Sequence, residues 1–299
     1  MRNIFDIILE NLKVSDNKRT AKKSFDFTSC TRELSIEKKV DLMEKFNKIE
    51  EFVKAEVHRL QFVSDPAEKK SKKAELEKTI ITVLNAHSQL KYMKKIVSEK
   101  GDMITLGSVC LDVKLTDVVT TLLNGKSGTI TNHNGENLGM LCVDAGYPGL
   151  ALLAMENPQA RIQQDCLGYN ILNRCVTHYA FLPNKNKEYN ENFITTIMHG
   201  INWYSECTEQ MVMARKNTGM LCAERMDKSP KLVACFEKAL KNPNARMAEN
   251  DKCENMMDIA VKHGYDKTII LEKFGYNTED LKRRQYEKHV RENLPSLEK

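Results

Sequence analysis

Three stretches of the 299-residue chain carry residue types that do chemistry. Cys175-Val176-Thr177-His178 sets a thiol and an imidazole three residues apart, which on a helix places both on one face. The pair could be half of a zinc site, or a nucleophile with its base. Zinc needs four ligands, and no second pair stands nearby in sequence. A nucleophile also needs an orienting group, which distant residues could bring. Gly125-Lys126-Ser127 has the end of a phosphate-binding loop, but Thr120 stands where the leading glycine belongs, and a helix–loop junction is expected in place of the preceding strand. Lastly, a cysteine and an aspartate recur together, in Leu106-Gly107-Ser108-Val109-Cys110-Leu111-Asp112 and in Leu138-Gly139-Met140-Leu141-Cys142-Val143-Asp144.

The recurrence decides that third case. The second phrase starts 32 residues after the first, and Leu, Gly, Cys and Asp match at identical offsets. Asn217-Thr218-Gly219-Met220-Leu221-Cys222-Ala223 opens another copy, and Cys175 falls at the cysteine position when counted from Asn170. Ala260 takes it in a copy that opens at Asn255. Catalysis needs a residue once, whereas packing needs it in every copy. Cys110, Cys142 and Cys222 are therefore expected as small buried apolar groups. A period of about 33 residues is that of stacked helical repeats.

The elements follow from this period. Repeat 1 covers 101–134, with helices near 105–113 and 116–123 and a loop at 125–129. Repeat 2 covers 135–167. Repeat 3 starts at Gly168, carries a polar insertion over 183–191, and has its second helix over 192–205. Repeat 4 runs from Asn217 to Arg246, and its closing Asn242-Pro243-Asn244-Ala245-Arg246 repeats Asn157-Pro158-Gln159-Ala160-Arg161. Repeat 5 opens at Asn255. Asn137, Asn170, Asn217 and Asn255 all stand just ahead of a first helix, where an amide oxygen caps free backbone N–H groups. Residues 277–299 are expected to form a charged capping helix over 278–293.

Residues 1–100 read as helical. A short helix is expected over 3–14, a basic loop over 15–30 and a long helix over 35–63, whose Leu42, Phe46, Ile49, Val53, Val57 and Leu60 make one stripe. Asp65-Pro66 restarts the chain as N-cap and first helical residue. The next helix is expected to run to Ser98 and to end at Gly101. Two long helices with so short a break should fold back as an antiparallel hairpin, with a coiled-coil dimer as the alternative. The run Lys69-Lys70-Ser71-Lys72-Lys73 reads as a solvated helix face.

Repeat 2 resembles an ankyrin repeat. Gly135 matches the loop glycine of that family, Asn137 its threonine, Cys142 the first small helix residue and Gly146 the helix-ending glycine. The chain departs from the family in lacking its Thr-Pro-Leu-His tetrapeptide, and Gly139 and Met140 stand where the family has Leu and His. The Asn-x-Gly-Met opening and the linker Gln163-Gln164-Asp165 resemble divergent ankyrin-like repeats of effectors that intracellular bacteria inject into host cells. The resemblance covers 101–276. It implies an all-α fold, a helical N-terminal region followed by about five ankyrin-like repeats in a solenoid. It implies that finger loops and inner helix faces bind another protein, a host protein if the chain is an effector.

The finger residues Thr131, Asn132, His133, Asn134, Glu136, Arg161, Gln163 and Gln164 are then the expected contacts. Tyr179, Phe181, Tyr189 and Trp203 near the insertion are candidate aromatic anchors. No catalytic, cofactor or metal set is expected. An enzyme with thiol or acid–base chemistry, its repeats recruiting substrate, is the alternative.

Composition agrees with a soluble protein: 41% hydrophobic and 29% charged residues, and no apolar run of membrane-spanning length; a monomer is expected. The start Met1-Arg2-Asn3-Ile4-Phe5-Asp6 carries an acid where a signal peptide needs an apolar core, so a cytoplasmic location is expected, in the host cell if the chain is an effector. Nine cysteines without a C-x-x-C pair fit buried thiols in a reducing compartment. Residues 1–100 hold 22 basic and 16 acidic residues. That excess suits an anionic membrane surface, but is too diffuse for specific nucleic-acid binding.

Overall fold

The computed structural model describes residues 25–27, 34–98, 102–181, 187–205, 217–226, 231–242, 245–246, 248–250, 252, 254–266, 268–269, 283 and 286. The helix expected over 3–14, and all but two residues of the one over 278–293, lie outside them. The described chain is mostly helical, with one small sheet. It forms two compact bodies, Met1–Cys166 and Leu167–Lys299. The two long N-terminal helices and repeats 1 and 2 thus fall in the first body.

In the first body α1 spans Ile36–Gln61, and its N-cap Ser35 accepts from the Lys38 amide. Leu42, Phe46, Ile49 and Val53 of the apolar stripe are buried. The second helix, α2, spans Pro66–Ala86. Asp65 caps it by accepting from the Ala67 amide at 2.9 Å, and Pro66 starts it. It ends twelve residues before Ser98, which corrects the expected length. A 3-10 turn, Ser88–Tyr92, follows, then β2, Met93–Ile96. Leu90, Met93 and Ile96 are spaced by three, so a helical stripe and a tight turn leading into a strand look alike in sequence.

Pairing decides for the strand. β2 lies between β1, Phe25–Phe27, and β3, Met103–Thr105, antiparallel to both, with Phe25 opposite Lys95 and Lys94 opposite Thr105. β1 therefore also interrupts the loop expected over 15–30. The Lys95 ammonium reaches the buried Glu50 carboxylate at 2.8 Å, and Lys54 reaches it at 2.6 Å. Burial opposes the Glu50 charge most strongly, but the two lysines outweigh it and hold its pKa below the ordinary value. That contribution to stability is present above the usual carboxylate range and is lost as pH falls through the lowered pKa.

The repeats follow. In the first body α3 spans Leu106–Asp112, α4 Thr116–Leu123, α5 Leu138–Asp144, α6 Pro148–Glu156, and a short α7 Pro158–Ile162. In the second body α8 spans Ile171–Phe181, α9 Lys187–Ser205, α10 Thr218–Arg225, α11 Lys231–Ala239 and α12 Met256–Lys262. α9 starts within the expected insertion, so 187–191 is helical.

Packing joins like to like. In the first body α3 packs on α5 and α4 on α6, and α1 and α2 pack on α3 and α4 in the same order. In the second, α8 packs on α10, α9 on α11 and α10 on α12. The recurring cysteines Cys110, Cys142, Cys175 and Cys222 are all fully buried.

The turn between paired helices also repeats. The amides of Leu115, Tyr147 and Tyr265 donate to the carbonyls of Cys110, Cys142 and Ala260 at 2.8, 2.8 and 3.0 Å. The residue before each has positive φ: Gly146 at 82°, Gly264 at 87°, and, in repeat 1, Lys114 at 63°. Left-handed backbone costs an L-residue about 1–2 kcal/mol, and glycine gives part of that back through unfolded-state entropy. Lys114→Gly is therefore expected to stabilise the first body by about 0.5–1 kcal/mol in urea denaturation.

α4 begins after Leu115, which offers no side-chain cap. Glu77 of α2 supplies one, accepting from the Asp117 amide at 3.1 Å. Burial pushes the Glu77 pKa up. Its ionised form is thus disfavoured by folding, and the cost is relieved as pH falls through the raised value. Glu77→Gln keeps the acceptor without the charge, so it is expected to match or exceed the parent in stability at pH 7. Glu77→Ala is expected to lose about 1–2 kcal/mol. Equal losses for the two variants would show that Glu77 is not a cap.

Candidate functional site

Repeats 2 and 5 are each preceded by a short bridged loop, or finger. Finger 2 is Thr131–Asn137, closed by an antiparallel bridge between its end residues. The Asn132 amide donates to the Glu136 carbonyl at 2.9 Å. The Asn132 side-chain oxygen accepts from the amides of Asn134 (2.9 Å) and Glu136 (3.0 Å), and its NH2 donates to the Glu136 carboxylate at 2.7 Å. The finger of repeat 5, Glu249–Asn255, repeats this construction. Asn250 accepts from the amides of Lys252 and Glu254 and donates to the Glu254 carboxylate. The pattern Asn-x-x-x-Glu-Asn is therefore a self-contained frame, legible as 132–137 and 250–255.

The last residue of the frame ties the finger to the helices. Asn137 accepts from the Met140 amide at 3.0 Å, capping α5. Its NH2 donates to the Ala160 carbonyl at 2.8 Å and to the Gln163 side-chain oxygen at 2.9 Å, and Gln163 in turn donates to the Thr129 carbonyl at 2.6 Å. Asn170, Asn217 and Asn255 cap α8, α10 and α12 in the same way. Asn217 also donates to the Ala245 carbonyl at 2.8 Å, so the recurring Asn-Pro-x-Ala-Arg phrase serves as the anchor of this asparagine. In repeat 1 Thr105 takes the asparagine's place, and the β2–β3 hairpin replaces the finger.

Successive fingers of the first body stack. The Cys166 amide donates to the Asn134 carbonyl at 2.7 Å. Gly135, at φ 77°, lets the backbones meet, since a Cβ there would sit 3.1 Å from both the Asp165 Cα and the Gln164 carbonyl oxygen. At the tips, His133 Nε2 lies 3.0 Å from Asp102 Oδ1, with the His133 and Asp102 side chains 33% and 47% exposed. Ser98 donates to the other Asp102 oxygen at 2.7 Å. Ser98, Asp102 and His133 make no nucleophile relay, because the carboxylate lies between hydroxyl and imidazole, where a base would have to be.

Of the expected contact residues, His133 and Gln164 are exposed at the tips. Asn132, Glu136 and Gln163 are bonded within the framework, and Thr131, Asn134 and Arg161 are half-buried beside them. Tyr179 is half-buried on α8. Phe181 lies on α8, and Tyr189 and Trp203 on α9, with side chains outside the described residues. Sequence reasoning missed Asp102 and Cys166. Cys166, which is exposed, stands 33 residues after His133, so the period could have found it. Asp102 stands three residues before Thr105, as Asn134 does before Asn137, so the same period places it in the finger position of repeat 1.

Four of the buried thiols are poor nucleophiles. Burial pushes Cys110, Cys142 and Cys235 up to about 12, and Cys222 well above its ordinary value. Cys175 is buried, and the His178 ring stacks on Phe193 at 5.1 Å. Ser127 of the phosphate-loop-like stretch is buried and donates to the Leu122 carbonyl at 2.5 Å, which ends α4. Among the described residues no group of three or more His, Cys, Asp or Glu side chains is placed to hold a metal ion. No family model, no curated protein and no solved structure matches the chain.

Proposed function

We propose that the chain is an ankyrin-like repeat scaffold that binds another protein through the finger tips of its first body. The observation that carries this reading is the division of labour within the fingers. Asn132, Glu136, Asn137 and Gln163 satisfy one another and the backbone, while the tip residues of the first body face solvent and differ between copies: His133 in one finger and Cys166, 33 residues later, in the next. A frame that repeats beneath tips that vary is how a repeat array combines stability with specificity. Helix pairs packed first on first and second on second, joined by a positive-φ turn, support the ankyrin-like reading. The resemblance to injected effectors makes a host protein the partner to look for.

The test replaces Asp102, His133 and Gln164 together by alanine and compares the proteins captured from host-cell lysate with those captured by the parent. All three side chains are partly or largely exposed, so the fold should survive, as thermal melting would verify. Loss of specific captured proteins is the expected result. An unchanged set would sink the finger-row reading.

A further inference from the structure

Both N-terminal helices run on past the part of the molecule that they help to bury. Val53 is the last buried residue of α1, eight residues before its end. Leu76 is the first of α2, ten residues after its start. At 1.5 Å per residue these overhangs are about 12 and 15 Å long. Val57, Leu60 and Val63 are half-buried in the overhang, and every residue from Ser64 to Lys72 is exposed. At the turn stands Phe62, the most exposed large hydrophobic side chain among the described residues, at 74%. The His58 ring meets it edge-on at 5.0 Å. Among the described residues of the first body, packing gives no reason for an extension tipped by an aromatic ring.

The charges around the ring point to its occupant. Arg59, Lys69, Lys70, Lys72 and Lys73 lie in the last turn of α1 and the first turns of α2. Glu56, Asp65, Glu68 and Glu75 stand among or beside them, Lys73 lies 4.0 Å from Glu77, and the first three acids are engaged locally. Glu56 pairs with Arg59, Glu68 pairs with Lys72 at 2.7 Å, and the Asp65 carboxylate caps α2. Lys69 and Lys70 are exposed and pair with none of these acids. An exposed apolar ring at a turn, followed by two ammonium groups without an acid partner among the described residues in the first turns of the next helix, matches the boundary of an anionic bilayer, where apolar groups enter the acyl region and lysines meet headgroups. A folded protein partner would be expected to meet a broader apolar patch, with a charge-depleted centre.

We infer that the α1–α2 turn is a membrane-docking tip, in which Phe62 enters an anionic lipid surface and Lys69 and Lys70 hold its headgroups. The tip uses no residue of the finger row, so either reading can fail alone.

The experiment is co-sedimentation of the full chain with vesicles of phosphatidylcholine alone or with about a third phosphatidylserine. The chain is expected to sediment with the anionic vesicles and not the neutral ones, and less so as salt rises. Phe62→Ser should weaken partitioning about tenfold. Lys69→Gln with Lys70→Gln should weaken it about 25-fold, at about fivefold per charge. All three side chains are exposed, so unchanged melting temperatures should accompany these losses. Three outcomes would overturn the inference: no sedimentation of the parent, equal sedimentation with neutral vesicles, or variants that sediment like the parent. It is also overturned if the lysine changes weaken binding while Phe62→Ser does not, which marks a polyanion contact with no insertion.

Discussion

Replacing Asn137 by alanine is expected to destabilise the first body by about 3–5 kcal/mol. The side chain is fully buried, and each of its atoms is used. Its oxygen caps α5 through the Met140 amide, and a lost cap costs about 1 kcal/mol. Its NH2 satisfies the Ala160 carbonyl and the Gln163 side-chain oxygen. Leaving either without a partner in a closed site costs about 1–3 kcal/mol. Asn137→Thr divides the effect. Threonine keeps the cap, as Thr105 does in repeat 1, but cannot reach Ala160 and Gln163 as the amide does, so roughly half of the loss is expected. Asn137→Asp sets a carboxylate against two acceptor oxygens and should be the worst of the three at pH 7, recovering in part as acid protonates it. Urea denaturation of the three variants checks the order. An alanine variant within about 1 kcal/mol of the parent would mean that α5, α7 and the finger do not depend on this residue.

That hub was half visible in the sequence. Four asparagines at one repeat position announced the helix caps, because capping is local and the residue type states it. Asp65-Pro66 announced the start of α2 for the same reason. What the NH2 of Asn137 does was not visible, since Ala160 lies 23 residues away and offers only a carbonyl, which any residue could provide. Glu77 shows the same limit. A glutamate on a helix reads as surface charge, and only the packing of α2 on α4 turns it into a cap for Asp117. The β2 strand was misread because Lys94 and Lys95 favour no strand by themselves. Pairing with Thr105 on one side and Phe25 on the other overrides that weak local preference. The finger frame was legible and overlooked. Asn132 and Glu136 recur as Asn250 and Glu254, and residues that recur are framework, by the same logic that assigned the cysteines to packing.

Glycine offers the sharpest trial of the stacking itself, because one kind of change should have opposite signs at two sites. Gly107 lies on α3 where α5 packs, and a Cβ there would sit 2.7 and 3.1 Å from the two terminal methyls of Leu138. Leu138 is itself buried, so it has little room to yield. Gly107→Val adds two more methyls to this contact, and a loss of about 3 kcal/mol is expected. Gly149 lies in the first turn of α6 with nothing within 4 Å of an added Cβ. There the ordinary helical preference rules, and Gly149→Ala should stabilise by up to about 1 kcal/mol. The second body offers a graded case. A Cβ on Gly219 would run into the end of the Met256 side chain and sit 3.1 Å from the Ala239 Cβ; Met256 is flexible but fully buried, so Gly219→Ala is also expected to destabilise, though by less than Gly107→Val. If Gly107→Val melts with the parent, Leu138 does not rest on Gly107. The Leu-Gly phrase would then have lost its physical reason, since a glycine two places into a helix is worse than almost any other residue unless a neighbour occupies the space that its side chain would fill.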